Sequence, residues 1–179
     1  MPMVLDLGAS APAFDLPGTD GKSYGLKDLA DKKALCIIFS CNHCPYVQAY
    51  EGRFIELQNE FGPRGGQIVA INSNDASSHP DDSFEEMVKR AKDLGFNFPY
   101  LRDESQGVAH AYGAIRTPHV FLFNAERKLA YVGRIDDCWD DPKKVKSREL
   151  ANAFEDILSG SAVKVPETYA VGCTIKWKD

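Results

Sequence analysis

Residues Ala34–Ser40 (ALCIIFS) form a continuous apolar run that leads directly into two cysteines three positions apart. A strand without alternation of apolar and polar residues has both faces covered, as in the interior of a parallel sheet. From Pro45 onward, apolar residues recur at spacings of three and four until Gly62-Pro63, which predicts an amphipathic helix. A buried strand followed by a helix restricts the chain to the α/β class.

The remaining pattern alternates strands with helices. Phe14 and Leu16 face Tyr24 and Leu26 across a glycine-rich turn, which predicts an N-terminal β-hairpin. Further on, we expect strands at 67–73, 98–101, 120–124 and 129–135, and helices from the Ser83 cap to Gly95, at 106–112 and at 147–158. The first of these helices carries an apolar stripe that includes Phe84, Met87 and Val88. This order predicts a mixed sheet flanked by helices on both faces, with the last two strands as its antiparallel edge.

The length and charge of the chain argue against several classes of protein. The chain has 179 residues, enough for one domain (1–179) and short for two, with a C-terminal tail (161–179) that we expect to pack on it. A net charge of -5 without a basic block argues against a nucleic-acid partner. The longest apolar run is too short to span a membrane, and residues 1–10 lack the features of an export signal. We therefore expect a cytoplasmic protein.

Five cysteines, at positions 36, 41, 44, 138 and 173, are too few and too unevenly spaced for a secreted disulfide scaffold. In a reducing compartment, paired cysteines serve mainly catalysis or redox sensing. Cys41 and Cys44 can close a small disulfide ring, and the adjacent helix N-terminus favours a thiolate. Two cysteines alone cannot supply the four ligands of a structural zinc site. Redox exchange is favoured, whereas Cys36 is expected to be inert core.

Further motifs carry a family resemblance: 8–16 (GASAPAFDL), Cys41–Pro45 after a strand, 112–114 (YGA), Thr117-Pro118 and 133–137 (GRIDD). On these segments the chain resembles the peroxiredoxin-like group of thioredoxin-fold proteins, the redoxin or alkyl hydroperoxide reductase/thiol-specific antioxidant group. The resemblance covers nearly the whole chain. It implies a thioredoxin-like fold with an N-terminal hairpin extension.

The resemblance also implies roles for site residues. Cys41 would be the attacking thiol, which must be exposed, and Cys44 would resolve the mixed disulfide. A charged His43 would stabilise the thiolate and make the pair more oxidising; the alternative is a surface histidine without a redox role. Thr117-Pro118 would place a cis-proline opposite the cysteines as part of the substrate-binding surface; the alternative is a trans proline at a strand entrance.

Departures from the related families set limits on the function. Where a peroxiredoxin has Thr or Ser three residues before its reactive cysteine, this chain has Cys41, and Ile37 replaces an upstream proline. Peroxide reduction should therefore be slow. The buried aspartate of thioredoxin also has no counterpart, because Leu35 stands in its place. Another group or water must then move the proton of Cys44.

These observations predict a thiol-disulfide oxidoreductase that acts on protein or small-molecule disulfides, with an unknown electron donor and no cofactor. A thiol peroxidase is one alternative. A Cu(I) carrier using the cysteine pair and His119 is an alternative of another class. Cys173, in the tail, is a possible third thiol near the pair; the alternative is a buried cysteine without chemistry. Asp136, Asp137 and Cys138 would either border the site or lie in a solvated loop.

Overall fold

The computed structural model describes residues 4–179; the first three residues of the segment used to judge export lie outside it. The strands are β1 Asp15–Pro17, β2 Ser23–Gly25, β3 Ala34–Ser40, β4 Gly66–Asn72, β5 Tyr100–Arg102, β6 Arg116–Thr117, β7 His119–Phe123, β8 Leu129–Gly133 and β9 Cys173–Thr174. The α-helices are α1 Pro45–Phe61, α2 Phe84–Leu94, α3 Gly107–Tyr112 and α4 Glu149–Leu158.

Five strands form the central sheet in the order β5-β4-β3-β7-β8. β3 pairs in parallel with β4 and antiparallel with β7, and β8 is the antiparallel edge. The prediction of a mixed sheet flanked by helices is confirmed. The N-terminal hairpin is confirmed too, since Leu16 pairs with Tyr24 in β1 and β2.

Both faces of β3 are buried, which explains why apolar and polar residues do not alternate along it. Cys36 and Ile38 pack into a cluster with residues of α1 and α4 on one face. Ile37 and Phe39 pack into a second cluster that includes Tyr112 of α3 on the other face. The central strand is therefore fixed between two layers, and its carboxyl end delivers Cys41 at a defined place.

α2 differs from the sequence prediction in how it packs. Ser83 caps it as expected, accepting a hydrogen bond from the Glu86 backbone N–H at 3.2 Å. However, the predicted apolar stripe is only partly buried: Phe84 and Val88 are each 37% exposed, and Met87 alone is fully buried. The helix lies over β5 at the sheet edge, where only one row of side chains reaches the core.

The C-terminal tail, residues 161–179, crosses the carboxyl end of the sheet. It first follows β8, where the Val132 N–H donates to the Pro166 carbonyl at 3.0 Å. It then forms β9, which pairs antiparallel with β6 in a separate two-stranded sheet that the sequence did not predict. Ile175 is buried beyond this point, 3% exposed. The tail thus reaches the end of β3, next to the cysteine pair.

Candidate redox site

Cys41 and Cys44 occupy the junction between β3 and α1. Cys41 follows the last residue of β3, and Cys44 is the extended N-cap residue of α1. Pro45 occupies the first turn of α1, where its missing N–H removes no helical hydrogen bond. The two thiols are therefore held at the positive end of a 17-residue helix.

A buried polar network fixes the turn between the two cysteines. The backbone N–H of Asn42 donates to Asp82 at 2.6 Å, and the Asn42 side chain accepts a hydrogen bond from the Tyr100 hydroxyl at 2.8 Å. Asp82, 2% exposed, also accepts hydrogen bonds from Asn72 and Asn74 at 3.0 Å each. These contacts tie the motif to the carboxyl end of β4.

Thr117 and Pro118 face both motif cysteines. The peptide bond between them is cis. The Thr117 hydroxyl lies 3.5 Å from Cys41 Sγ, and the Thr117 carbonyl oxygen lies 3.5 Å from Cys44 Sγ. Thr117 of β6 therefore places its hydroxyl against the sulfur of Cys41 and its carbonyl oxygen against the sulfur of Cys44.

A third thiol completes the site. The sulfur of Cys173 lies 2.8 Å from that of Cys44, and all five cysteines of the chain are free thiols in this structure. Cys173 is partly exposed. The structure thus brings Cys41, Cys44 and Cys173 into one cluster with Val47 and Tyr46.

Burial corrects one premise of the sequence analysis. Cys41 is 2% exposed and Cys44 is 1% exposed, so the expectation that Cys41 is exposed is wrong. The tail contributes to this burial, because Cys173 packs against the pair and its sulfur contacts that of Cys44. A molecule in solution meets Cys173 more readily than either motif cysteine.

The electrostatics place the negative charge of the reduced cluster on Cys44. A hydrogen bond from Cys41 lowers the pKa of Cys44 to about 4 against the cost of burial, and Cys173 contributes in the same direction. The same bond to Cys44, together with burial and the charge of Asp82, raises the pKa of Cys41. Burial and the bond to Cys44 raise the pKa of Cys173 to about 11. These shifts favour the charged form at Cys44 and the neutral form at Cys41 and Cys173.

The other predicted residues lie farther from this chemistry. His43 is exposed, and its Nδ1 lies 3.5 Å from the Asp81 carboxylate. Cys36 is fully buried in the core, where burial raises the pKa of its thiol. Cys138 is partly exposed, and its thiol donates to Asp140 at 3.3 Å. Neither of these two cysteines joins the cluster.

Asp136 requires a correction, since it is not a solvated loop residue. It is 5% exposed and forms an ion pair with Arg53 of α1 at 2.8 Å. The Tyr50 hydroxyl donates to it at 2.7 Å. Its role is to anchor the segment after β8 to α1. Asp137, in contrast, is exposed.

His119 is buried at the start of β7. Its Nδ1 accepts a hydrogen bond from the Ile115 backbone N–H at 3.3 Å, and burial lowers the pKa of its imidazole to about 4. Within residues 4–179, no group of three or more His, Cys, Asp and Glu side chains is arranged as a metal-binding cluster. The geometry lends no support to the copper-carrier hypothesis. Likewise, no helix in this range is both long and apolar enough to cross a membrane.

Sequence reasoning missed Asp82 as a site residue. It lies in the polar stretch between β4 and α2, far from the motif in sequence. The pairing of the strands was the signal that could have identified it. β3 and β4 are parallel, so their carboxyl ends lie at the same edge of the sheet. This pairing places the residues that follow β4 beside Cys41.

Comparisons with known proteins agree with this geometry. The model of the AhpC/TSA family matches residues 7–132. Among curated proteins, the thiol-disulfide oxidoreductase ResA of Halalkalibacterium halodurans is 27% identical over 125 residues, which cover 70% of this chain and 66% of that protein. This chain therefore spans slightly less than two thirds of the length of that relative.

Solved structures match nearly the whole chain. A conserved protein from Geobacillus kaustophilus is 40% identical, with 97% of this chain and 93% of that one covered and a TM-score of 0.92. A hypothetical protein from Sinorhizobium meliloti 1021 is 37% identical, with 98% and 97% covered and a TM-score of 0.93. A thioredoxin domain from Bacteroides vulgatus, 21% identical with 72% and 88% covered, has a TM-score of 0.60. The thioredoxin-like fold is thereby confirmed.

Proposed function

This chain belongs to the AhpC/TSA family, and we propose on that premise that it is a thiol-disulfide oxidoreductase. The family resemblance deduced from the sequence is confirmed by the match. In the proposed reaction, Cys41 and Cys44 cycle between a dithiol and a disulfide while a substrate disulfide is reduced or a substrate dithiol is oxidised. The relation to ResA, named as an enzyme of this class, supports the proposal.

One observation carries the proposal: Cys41 and Cys44 pack together at the junction of β3 and α1, and the sulfur of each contacts Thr117. The hydrogen bond with Cys41 also lowers the pKa of Cys44, which favours the thiolate that disulfide exchange requires. The helix N-terminus adds to the stabilisation of the charge. Substrates would be disulfides or dithiols of proteins or small molecules, and the electron donor would be another thiol compound.

The test is a redox titration. The protein is equilibrated in buffers of varied ratios of reduced to oxidised glutathione, quenched with acid, alkylated, and mapped by mass spectrometry. We expect a reversible Cys41–Cys44 disulfide, and its loss in Cys41→Ser and Cys44→Ser. Cys138→Ser is the matched control and should titrate like the wild type, because Cys138 lies outside the cluster. Absence of any reversible bond at Cys41 or Cys44 would refute the proposal.

Thiol peroxidase activity is the second candidate, favoured by the low pKa of Cys44 beside Pro45. A Cys44 thiolate would attack a peroxide oxygen, release an alcohol or water, and leave a sulfenic acid that the Cys41 thiol converts to a disulfide. Cys41 and Ile37 replace residues of the peroxide site, so we expect turnover with peroxide to be slower than disulfide exchange. Rapid peroxide consumption in the presence of a thiol reductant would reverse this ranking and support an antioxidant role.

We also propose that the protein acts in the cytoplasm. Its five cysteines are an odd and sparse set, which suits a reducing compartment. Fractionation of the source cells followed by immunodetection tests this proposal; recovery of the protein only from an oxidising compartment would contradict it.

A further inference from the structure

Access to the motif cysteines poses a problem for their proposed exchange chemistry. Cys41 and Cys44 are almost fully buried, with 2% and 1% of their surface exposed. Thiol-disulfide exchange requires the attacking sulfur to reach its target directly. Cys173 is partly exposed and contacts Cys44 from the solvent side of the cluster. Any outside thiol therefore encounters Cys173 before the motif pair.

The position of Cys173 is fixed by backbone pairing. It lies opposite Thr117 in the pairing of β9 with β6, and the Ile175 N–H donates to the Ile115 carbonyl at 3.1 Å. Gly172 allows this close approach, because a Cβ atom there would lie 2.1 Å from the Thr117 carbonyl oxygen. The docked tail, which we define as residues 172–176, is held against the site by its own backbone.

The backbone of the docked tail is also secured at its far end. The Lys176 N–H donates to the Asn74 side chain at 2.9 Å, and the Lys176 carbonyl accepts from the Asp75 N–H at 2.8 Å. Asn74 in turn donates to Asp82, which holds the turn of the motif. One hydrogen-bonded network thus positions both the motif and the tail that carries the third thiol.

We propose that Cys173 is a third redox residue, which exchanges with the Cys41–Cys44 disulfide to form a Cys44–Cys173 disulfide that outside thiols then reduce. This inference rests on the proposed function. The distance of 2.8 Å between the sulfurs of Cys44 and Cys173 lies within easy reach of a disulfide, whose sulfurs are about 2.05 Å apart. Small local motion is sufficient to form the bond.

The first step is an internal exchange without net oxidation. The sulfur of Cys173 loses its proton and attacks the Cys44 sulfur of the Cys41–Cys44 disulfide. The bond between Cys41 and Cys44 breaks, a bond between Cys44 and Cys173 forms, and Cys41 leaves and takes up a proton. Burial and the charge of Asp82 raise the pKa of Cys41, so the departing sulfur takes up the proton that Cys173 gave up.

The second step uses an outside thiol compound as the reductant. Its thiolate attacks the partly exposed Cys173 sulfur, the Cys44–Cys173 bond breaks, and Cys44 leaves as a thiolate. A leaving thiol of low pKa departs faster, and the environment of Cys44 provides this property. A second outside thiol then releases the mixed disulfide from Cys173. The reductant is oxidised to a disulfide, and all three cysteines end as thiols or thiolate.

The first experiment traps the proposed bond. Cys41→Ser removes the competing partner but leaves the tail intact, and after mild oxidation with oxidised glutathione we expect a Cys44–Cys173 disulfide in the peptide map. Cys138→Ser in the same background is the control and should give the same bond. Failure of Cys41→Ser to form this disulfide, with circular dichroism showing a folded protein, would overturn the proposal.

The second experiment measures the rate of reduction. Cys173→Ser and Cys173→Ala should still form the Cys41–Cys44 disulfide, but glutathione should reduce it about tenfold or more slowly than in the wild type. Reduction at the wild-type rate would refute a role for Cys173 and leave the proposed function intact. In contrast, absence of the Cys41–Cys44 disulfide in the wild type would refute the proposed function itself. The two failures are therefore distinguishable.

Discussion

The Asp82 carboxylate accepts a hydrogen bond of 2.6 Å from the backbone N–H of Asn42, in the centre of the cysteine motif. Asp82→Ala would leave this donor and those of Asn72 and Asn74 unpaired in a buried place. Since each unpaired buried donor costs about 1–3 kcal/mol, we expect a loss of about that size or more in the free energy of unfolding.

Urea denaturation followed by circular dichroism measures this loss. The matched control is Asp81→Ala, at the neighbouring position, because the Asp81 side chain is largely exposed and its ion pair within residues 4–179 is with the exposed His43. Exposed pairs contribute about 0–1 kcal/mol, so the control should remain close to the wild type. Equal losses for the two variants would show that the buried network does not stabilise the motif.

The lowered pKa of Cys44 predicts how the reduced protein titrates. A thiol with a pKa of about 4 is a thiolate at neutral pH and gains its proton only as the pH falls towards that value. The absorbance of the reduced protein at 240 nm should therefore include a thiolate contribution at pH 7 that is lost on acidification. This contribution should be absent in Cys44→Ser. A thiolate signal that first appears near pH 9 in the wild type would contradict the assignment.

His43 provides a test of charge near the motif. We expect His43→Pro to make the pair more reducing, because the substitution removes an imidazole that in its charged form favours the thiolate. The side chain is exposed and faces Asp81, so the change in the equilibrium with glutathione should be only about two- to threefold. An unchanged equilibrium, or a more oxidising pair, would show that His43 has no tuning role.

Gly172 provides a steric test of the docked tail. Gly172→Ala places a methyl group where the Thr117 carbonyl oxygen lies, and backbone cannot yield as a flexible side chain does. We expect the tail to detach, so that limited proteolysis cleaves it early and the Cys44–Cys173 disulfide fails to form. Gly52→Ala is the control, because its new methyl group meets nothing within 4 Å. Wild-type protection of the tail in Gly172→Ala would contradict this account.

Local patterns were sufficient to predict the elements that carry the site. The apolar run of β3 and the periodicity of α1 are properties of consecutive residues, and both elements lie where the sequence places them. β6 and β9 could not be predicted in this way. Each has two residues, and their pairing joins Thr117 to Cys173 across a long stretch of chain. Short strands of this kind depend on tertiary contacts.

The accessibility of the cysteines was mispredicted for the same reason. The expectation that Cys41 is exposed came from the general geometry of a strand-to-helix junction, and the predicted packing of the tail near the pair was not extended to the burial of Cys41 itself. Asp82 was missed because its function depends on the parallel pairing of β3 with β4. In α2, periodicity predicted an apolar face but not how much of it the sheet edge would cover.

The pairing of β9 with β6 also bears on competition between thiols. Because Cys173 is tethered to the chain that it would attack, it acts at an effective concentration rather than a bulk one. A flexible tether already gives values on the order of millimolar, and fixed orientation raises them further. In the proposed exchange, Cys173 would therefore attack the Cys44 sulfur of the Cys41–Cys44 disulfide faster than dilute outside thiols do. Selection among electron donors would then take place at the outer surface of the tail, where Val171 and Trp177 are exposed.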